Sequence, residues 1–253
     1  MALSHRVRDR LSMHPQHRSG PQASLDLTHV LYDDDSYVSL ALALITLSPI
    51  LLMPAYAALS VYTREYVIIL MWAGQLAGEV LNLLVKHTVK EGRPEYSTAT
   101  GYGFPSSHSQ YMGYFTTFLA LHLYCRHRFA TTGYEILDGA WRLFIYSALF
   151  AWAAVVACSR YYLLYHSIPQ ILWGLGIGAA LGAATYICGE LIPRTRRKSY
   201  LGMLKLFLLR NPVSEWLEIR DGWEVWADGG REAEWVRWRD EWEKRALVDQ
   251  KRT

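Results

Sequence analysis

The sequence predicts an all-α fold: a multi-pass transmembrane helical bundle of about five spanning helices, with short interfacial helices and a helical C-terminal tail. Three observations carry this. Apolar runs recur at 37–62, 67–85, 111–124, 141–158 and 168–192, most of them close to the ~20 residues a helix needs to cross a hydrocarbon core of ~30 Å. Short polar loops separate the runs, a pattern of membrane proteins rather than of buried helices in a soluble domain. Charged residues make up 19% of the chain but crowd into 211–253, so the remainder is more apolar than the mean of 51% hydrophobic.

Taken in order, residues 1–23 are polar and basic, with Arg6, Arg8, Arg10 and Arg18 ahead of any apolar run. They lack the apolar stretch of a signal peptide and read as a disordered arm. The membrane domain follows over 24–200. Its third run is the shortest, unless that helix begins in the preceding loop. Ser107 with Gln110 three residues later reads as a capping box opening it. Ser167 and Pro169 suit the start of the fifth helix, since proline is tolerated in a first turn. A sixth run, 201–209, is too short to cross. It holds Lys205 and is flanked by Arg194, Arg196, Arg197, Lys198 and Arg210, as an interfacial or re-entrant segment would be. The tail over 201–253 is charged and Trp-rich. Trp235, Trp238 and Trp242 share a helix face at i, i+3 and i+7, which suits a membrane or partner surface, or a helix folded back on the domain.

Several function classes are disfavoured. A net charge of +3 is too small to argue for nucleic acid, and no basic stripe follows a groove-reading pattern. Cys125, Cys158 and Cys188 have no disulfide or metal-ligand spacing and read as buried packing thiols. His87, His122 and His127 form no ligand-spaced set with carboxylates, so neither a metal site nor a cofactor is expected. Asp33-Asp34-Asp35 reads as a solvated loop. Glu79 and Asn82 fall inside the second helix, where a Glu is either functional or bonded to a neighbouring helix.

The remaining chemistry sits in three stretches at the edges of apolar runs. Lys86 and Arg93 bracket six residues, and Pro94 forces Arg93 out of helical geometry. Arg160 is a third cation. Guanidinium forks match phosphate oxygens, and lysine adds a point charge. Pro105-Ser106-Ser107-His108 opens the third helix, whose first-turn amides form an anion site. There Ser106 adds a hydroxyl, and His108 is placed to act as a general acid. His166 lies one turn before Gln170, which can hold one ring nitrogen and leave the other as a nucleophile. Such a set suits breaking a phosphate ester or anhydride at a membrane surface.

Five crossings put all three stretches on one side. Arg64, Arg126, Arg128, Arg142 and the 194–198 cluster fall on the other, which the positive-inside rule makes cytosolic. The site would then face the lumen or exterior.

In order and in internal spacing, the stretches resemble the signature of the type 2 phosphatidic acid phosphatase and haloperoxidase superfamily: K-x6-R-P, P-S-G-H and S-R-x5-H-x3-D. Ser107 stands in place of the usual glycine, and Gln170 in place of an aspartate that many members carry. Within the superfamily the chain most resembles the dolichyl-diphosphatases. The resemblance rests on Leu27-Thr28-His29-Val30, Leu47-Ser48-Pro49-Ile50, the stretch from Phe104 to Gln110, the stretch from Arg160 to His166, Pro212-Val-Ser-Glu, and Ile219-Arg220-Asp221. It implies metal-independent hydrolysis of dolichyl diphosphate in the endoplasmic reticulum membrane, recycling the carrier for N-glycosylation. His166 would be the nucleophile, His108 the general acid and base, and Gln170 the group orienting His166. Lys86, Arg93, Arg160, Ser106 and Ser107 would bind phosphate. The alternatives are a broader lipid phosphatase, acting on phosphatidate or a sphingoid phosphate, and a lipid-phosphate binder or transporter without catalysis.

Overall fold

The computed structural model describes residues 22–25, 30–33, 35–97, 99–129 and 131–250. Residues 1–21 of the expected arm, and Leu27, Thr28, His29 and Asp34, lie outside the described residues. The arm's last two residues are in a strand instead. β1 (Gln22–Leu25) pairs antiparallel with β2 (Val30–Asp33), and this ladder gives their backbone groups partners.

Every named element after β2 among the described residues is a helix. α1 (Tyr37–Ile45) and α2 (Ser48–Thr63) form one span with a break at Thr46. Its cause is Pro49, which has no N–H for the Ile45 carbonyl. The Ser48 hydroxyl donates to that carbonyl instead, at 2.5 Å. The next span is α3 (Tyr66–Val89), and its 24 residues reach roughly 36 Å at about 1.5 Å per residue. α4 (Ser107–Cys125) and α5 (Glu135–Tyr162) follow. α6 (Ile168–Tyr186) runs through a π-helical turn at 187–191 into α7 (Ile192–Thr195), making one span of 28 residues.

Four of these spans are long and apolar enough to cross a membrane by length and composition. The fifth, α4, is less apolar because it faces protein. Ten of its 19 residues are buried, polar Ser109, Gln110, Thr116 and His122 among them. It begins at Ser107, in what the hydropathy pattern left as loop, and gains length there.

A stripe of glycines brings α6 against α4. A Cβ on Gly174 would stand 2.6 Å from the Ser106 carbonyl oxygen, and one on Gly182 2.6 Å from that of Tyr114. Gly178 meets the Gln110 carbonyl in the same way. Small residues four apart allow such backbone contact between membrane helices. The consequence is functional, because the contact sets the first turn of α4 beside the first turn of α6.

The capping box expected at Ser107 and Gln110 is not formed. The N-cap is Ser106, and no side chain caps this end. Gln110 turns into the bundle, accepting from Asn82 Nδ2 at 2.8 Å and donating to the Gly78 carbonyl at 2.7 Å. Bonding across to α3 satisfies a buried amide that a cap would have left in the interior. The capping box lies at α6 instead, between Ser167 and Gln170.

The tail forms α8 (Tyr200–Arg210), α9 (Pro212–Trp216), α10 (Gly222–Val225) and α11 (Arg231–Gln250). Trp235, Trp238 and Trp242 on α11 are all more than half exposed, so this face is not folded onto the domain. Cys158 and Cys188 are also exposed, on the outer surface of spanning helices, and Cys125 is half-buried. The expectation of buried packing thiols fails for the first two because the outer face of a membrane bundle is itself apolar.

Candidate active site

Lys86 in the last turn of α3, Ser106 at the cap of α4, Arg160 in the last turn of α5 and His166 just before α6 meet at one end of the bundle. All three sequence stretches therefore converge. Lys90 ends α3 in the left-handed region (φ 54°), its N–H bonding the Lys86 carbonyl. The following loop is pinned by a bridge between Gly92 and Tyr102 and by the Gly103 N–H donating to the Glu91 carbonyl at 2.8 Å.

Arg93 leaves this loop toward His166. Its Nη1 donates to the Tyr165 carbonyl at 2.9 Å and lies 3.4 Å from His166 Nε2. Arg160 is buried. Its Nη1 donates to Thr46 Oγ1 at 3.3 Å, and its guanidinium stacks 4.0 Å from the centre of the Tyr165 ring. Thr46 is itself held by Ser159 Oγ at 2.8 Å. The break before Pro49 thus supplies the hydroxyl that holds Arg160. Tyr165 does three things at once: its ring supports Arg160, its carbonyl accepts from Arg93, and its hydroxyl accepts from the Leu31 N–H of β2 at 2.9 Å.

Ser106 is fully buried, and its N–H donates to the Gln170 carbonyl at 3.1 Å. Its Oγ accepts from Ser109 Oγ at 3.0 Å, which leaves its own proton to donate elsewhere. With no side-chain cap on α4, the amides of the first turn, at Ser107 and His108, remain open to an anion. His108 lies within electrostatic range of Arg160, His166, Lys86 and Arg93.

His166 is 1% exposed. Its Nδ1 faces Gln170 Oε1 at 3.2 Å. An amide oxygen only accepts, so Nδ1 carries the proton and the Nε2 lone pair faces Arg93. Burial, then the charges of Arg160 and Arg93, push its pKa down to about 3, against the opposing effect of its hydrogen bond to Gln170. The imidazole is therefore neutral at physiological pH.

Among the described residues, none of Lys86, Arg93 and Arg160 forms an ion pair with a carboxylate. Three cations gathered without an acid partner present a strong positive field, one that fits a phosphate group. No group of three or more His, Cys, Asp or Glu among the described residues is arranged to hold a metal ion.

The sequence reading missed four contributors. Glu91 lies inside the Lys86–Arg93 gap and accepts from Gln170 Nε2 at 2.8 Å. Tyr165 directly precedes His166, and Ser109 directly follows His108, so both were within reach of the motifs. Thr46 gave no signal, since its role depends on Arg160, more than a hundred residues away in another helix.

Residues 66–193 match the PAP2 superfamily. Human dolichyldiphosphatase 1 is 34% identical over 191 residues, covering 73% of this chain and 80% of that protein. Dolichyldiphosphatase of Saccharomyces cerevisiae is 31% identical over 191 residues, covering 72% of this chain and 74% of that one. The crystal structure of a transmembrane PAP2-type phosphatidylglycerolphosphate phosphatase from Bacillus subtilis superposes with a TM-score of 0.51 at 21% identity, covering 63% of this chain and 80% of that one. That likeness speaks to the fold alone. With the three stretches converging inside residues 66–193 of a helical membrane bundle, the chain belongs to the PAP2 superfamily and, within it, to the dolichyldiphosphatase family.

Proposed function

We propose that the protein hydrolyses dolichyl diphosphate to dolichyl phosphate and inorganic phosphate through a phosphohistidine. The observation that carries this is the placement of His166, its Nδ1 facing Gln170 Oε1 and its Nε2 beside Arg93, in a cluster of three cations that form no ion pair among the described residues.

In the first step His166 Nε2 attacks the terminal phosphorus in line. An N–P bond forms, and the bond from that phosphorus to the bridging oxygen breaks. Once the diphosphate's negative charge fills the cation cluster, His108 can carry a proton, which it gives to the leaving dolichyl phosphate. In the second step His108 takes a proton from water, whose oxygen attacks the same phosphorus. The N–P bond breaks, releasing inorganic phosphate and neutral His166. Lys86, Arg93, Arg160, the Ser106 hydroxyl and the amides at Ser107 and His108 hold the equatorial oxygens. Their donors act where charge spreads in the transition state. The cations supply the electrostatics that a metal would otherwise provide.

Binding alone requires neither a neutral imidazole held by a single tautomer-setting bond nor a second histidine. This favours an enzyme over a lipid-phosphate carrier. The polyprenyl chain would lie between helices in the bilayer. The basic end opposite the site faces the cytosol in this reading, so the site opens to the lumen of the endoplasmic reticulum. The product there is the phosphorylated carrier needed for N-glycosylation.

The test is phosphate release by purified protein in detergent with EDTA, from dolichyl diphosphate and from phosphatidate. Release from dolichyl diphosphate is expected to be faster, and His166→Ala is expected to lower it by roughly 10⁴-fold or more. Preference for phosphatidate would overturn the substrate. Loss of activity on EDTA addition would overturn the metal-free step, and full activity of His166→Ala the nucleophile.

A further inference from the structure

We infer that Glu91 is a positioning residue for His166, acting through the amide of Gln170. This rests on the reading of His166 as the nucleophile. The three side chains form a chain of hydrogen bonds. Gln170 Nε2 donates to Glu91 Oε1 at 2.8 Å and to the Gly92 carbonyl at 2.9 Å. Gln170 Oε1 faces His166 Nδ1 at 3.2 Å and accepts from the Ser167 N–H at 3.4 Å.

An amide has two unlike ends, and these partners sort them. Glu91 and Gly92 present only acceptors, so the NH2 must face them. Ser167 presents a donor, so the carbonyl must face it. A flipped amide would set its oxygen against a carboxylate and a carbonyl, and its NH2 against an N–H. The unflipped amide puts a pure acceptor on His166 Nδ1, which selects the tautomer with the Nε2 lone pair free.

Of the groups that fix this amide, only Glu91 carries charge. Phosphorylation at Nε2 makes the imidazole ring cationic, and an amide by itself offers that ring a dipole and no negative charge. The carboxylate of Glu91 polarises the amide from its far side and adds the missing charge one residue removed from the ring. Glycine at 103 leaves room for this arrangement: a Cβ there would stand 2.8 Å from Gln170 Nε2.

The test is a double-mutant cycle on Glu91 and Gln170, with kcat and KM measured separately on dolichyl diphosphate and on phosphatidate. Glu91→Ala is expected to lower kcat roughly tenfold, the worth of a hydrogen bond to a charged group, with KM nearly unchanged. Glu91→Gln, which keeps an acceptor without the charge, is expected to recover part of that loss. In a Gln170→Ala background, Glu91→Ala is expected to cost nothing further. An unchanged kcat in Glu91→Ala, or the same loss with and without Gln170, overturns the inference.

Two controls separate its failure from that of the proposed function. Activity on phosphatidate alone removes the dolichyl substrate while the cycle still reads the coupling. Nitrogen-15 resonances of the His166 ring, recorded without substrate, need no turnover. They are expected to show the Nδ1-protonated tautomer in the parent protein and a mixture in Glu91→Ala; one unchanged tautomer in both contradicts the inference.

Discussion

The two ends of the bundle treat charge in opposite ways. At the site end, Lys86, Arg93 and Arg160 have no carboxylate within ion-pair distance among the described residues. At the other end, charges are matched. Lys205 is buried between Glu190, at 3.2 Å, and Asp221, at 2.6 Å. Glu65 is buried against Arg220 at 2.8 Å and accepts from the Gly222 N–H at 2.9 Å. Glu224 pairs with Arg197 at 2.5 Å, and Arg64 pairs with Glu218. The matched end fastens the tail to the bundle, because its pairs join α3 and the α6–α7 span to residues 205–224. The unmatched end holds its cations by neutral groups, the Thr46 hydroxyl and the Tyr165 ring and carbonyl. Cations left without an ion-pair partner fit the phosphate ligand proposed above.

This contrast can be broken from either side, starting with the largest effect. Lys205→Met removes one partner and leaves Glu190 and Asp221 buried and uncompensated. Such a change typically costs about 3–5 kcal/mol, so a much lower midpoint in thermal unfolding in detergent is expected, with kcat per folded molecule little changed. Arg160→Met is the counterpart. It is expected to lower kcat by about 10²–10³, as for loss of one transition-state donor. It is not expected to lower the unfolding midpoint, because no carboxylate loses its partner. A midpoint that falls as far as for Lys205→Met would abolish the distinction between the ends.

The effect that is smallest per step, a slope with pH, sharpens the contrast further. The His166 pKa is depressed to about 3 in the folded chain, against ~6.5 in an unfolded one. Below pH 6.5 the unfolded chain binds a proton that the folded site refuses. The stability contribution is therefore complete above about pH 6.5 and is lost as pH falls toward 3, by at most about 1.4 kcal/mol per unit. The unfolding midpoint is expected to fall with acid less steeply in His166→Asn than in the parent protein. Equal slopes would mean that His166 is not held neutral.

The motif residues were legible in the sequence because the chemistry sits at helix ends, where polar residues stand out against apolar runs. Lys86, Arg93, Ser106, His108, Arg160, His166 and Gln170 all reach one end of the bundle for that reason. What was not legible depends on which helix faces which. α4 looked the shortest of the spans because hydropathy registers lipid contact, whereas this helix contacts protein. Gln110 looked like a cap because its partners, Asn82 and Gly78, lie on another helix. The glycines at 174, 178 and 182 drew no reading from the sequence, because their purpose appears only once α4 lies against them. Glu91 stood in the open within the first stretch, with nothing in the sequence to connect it to a residue 79 positions later.

The central claim is that the unmatched end exists to pass a phosphoryl group through His166. The most direct measurement is an acid-labile, alkali-stable phosphoryl adduct after mixing the protein with dolichyl diphosphate labelled at its terminal phosphate. Rapid quenching under alkaline conditions, followed by peptide mapping, locates the label. The expected result is label on the peptide containing His166, label that is lost more slowly in His108→Ala, where water attack is slowed, and none in His166→Ala. Continued phosphate release with no label on His166 in either the parent protein or His108→Ala would contradict the claim.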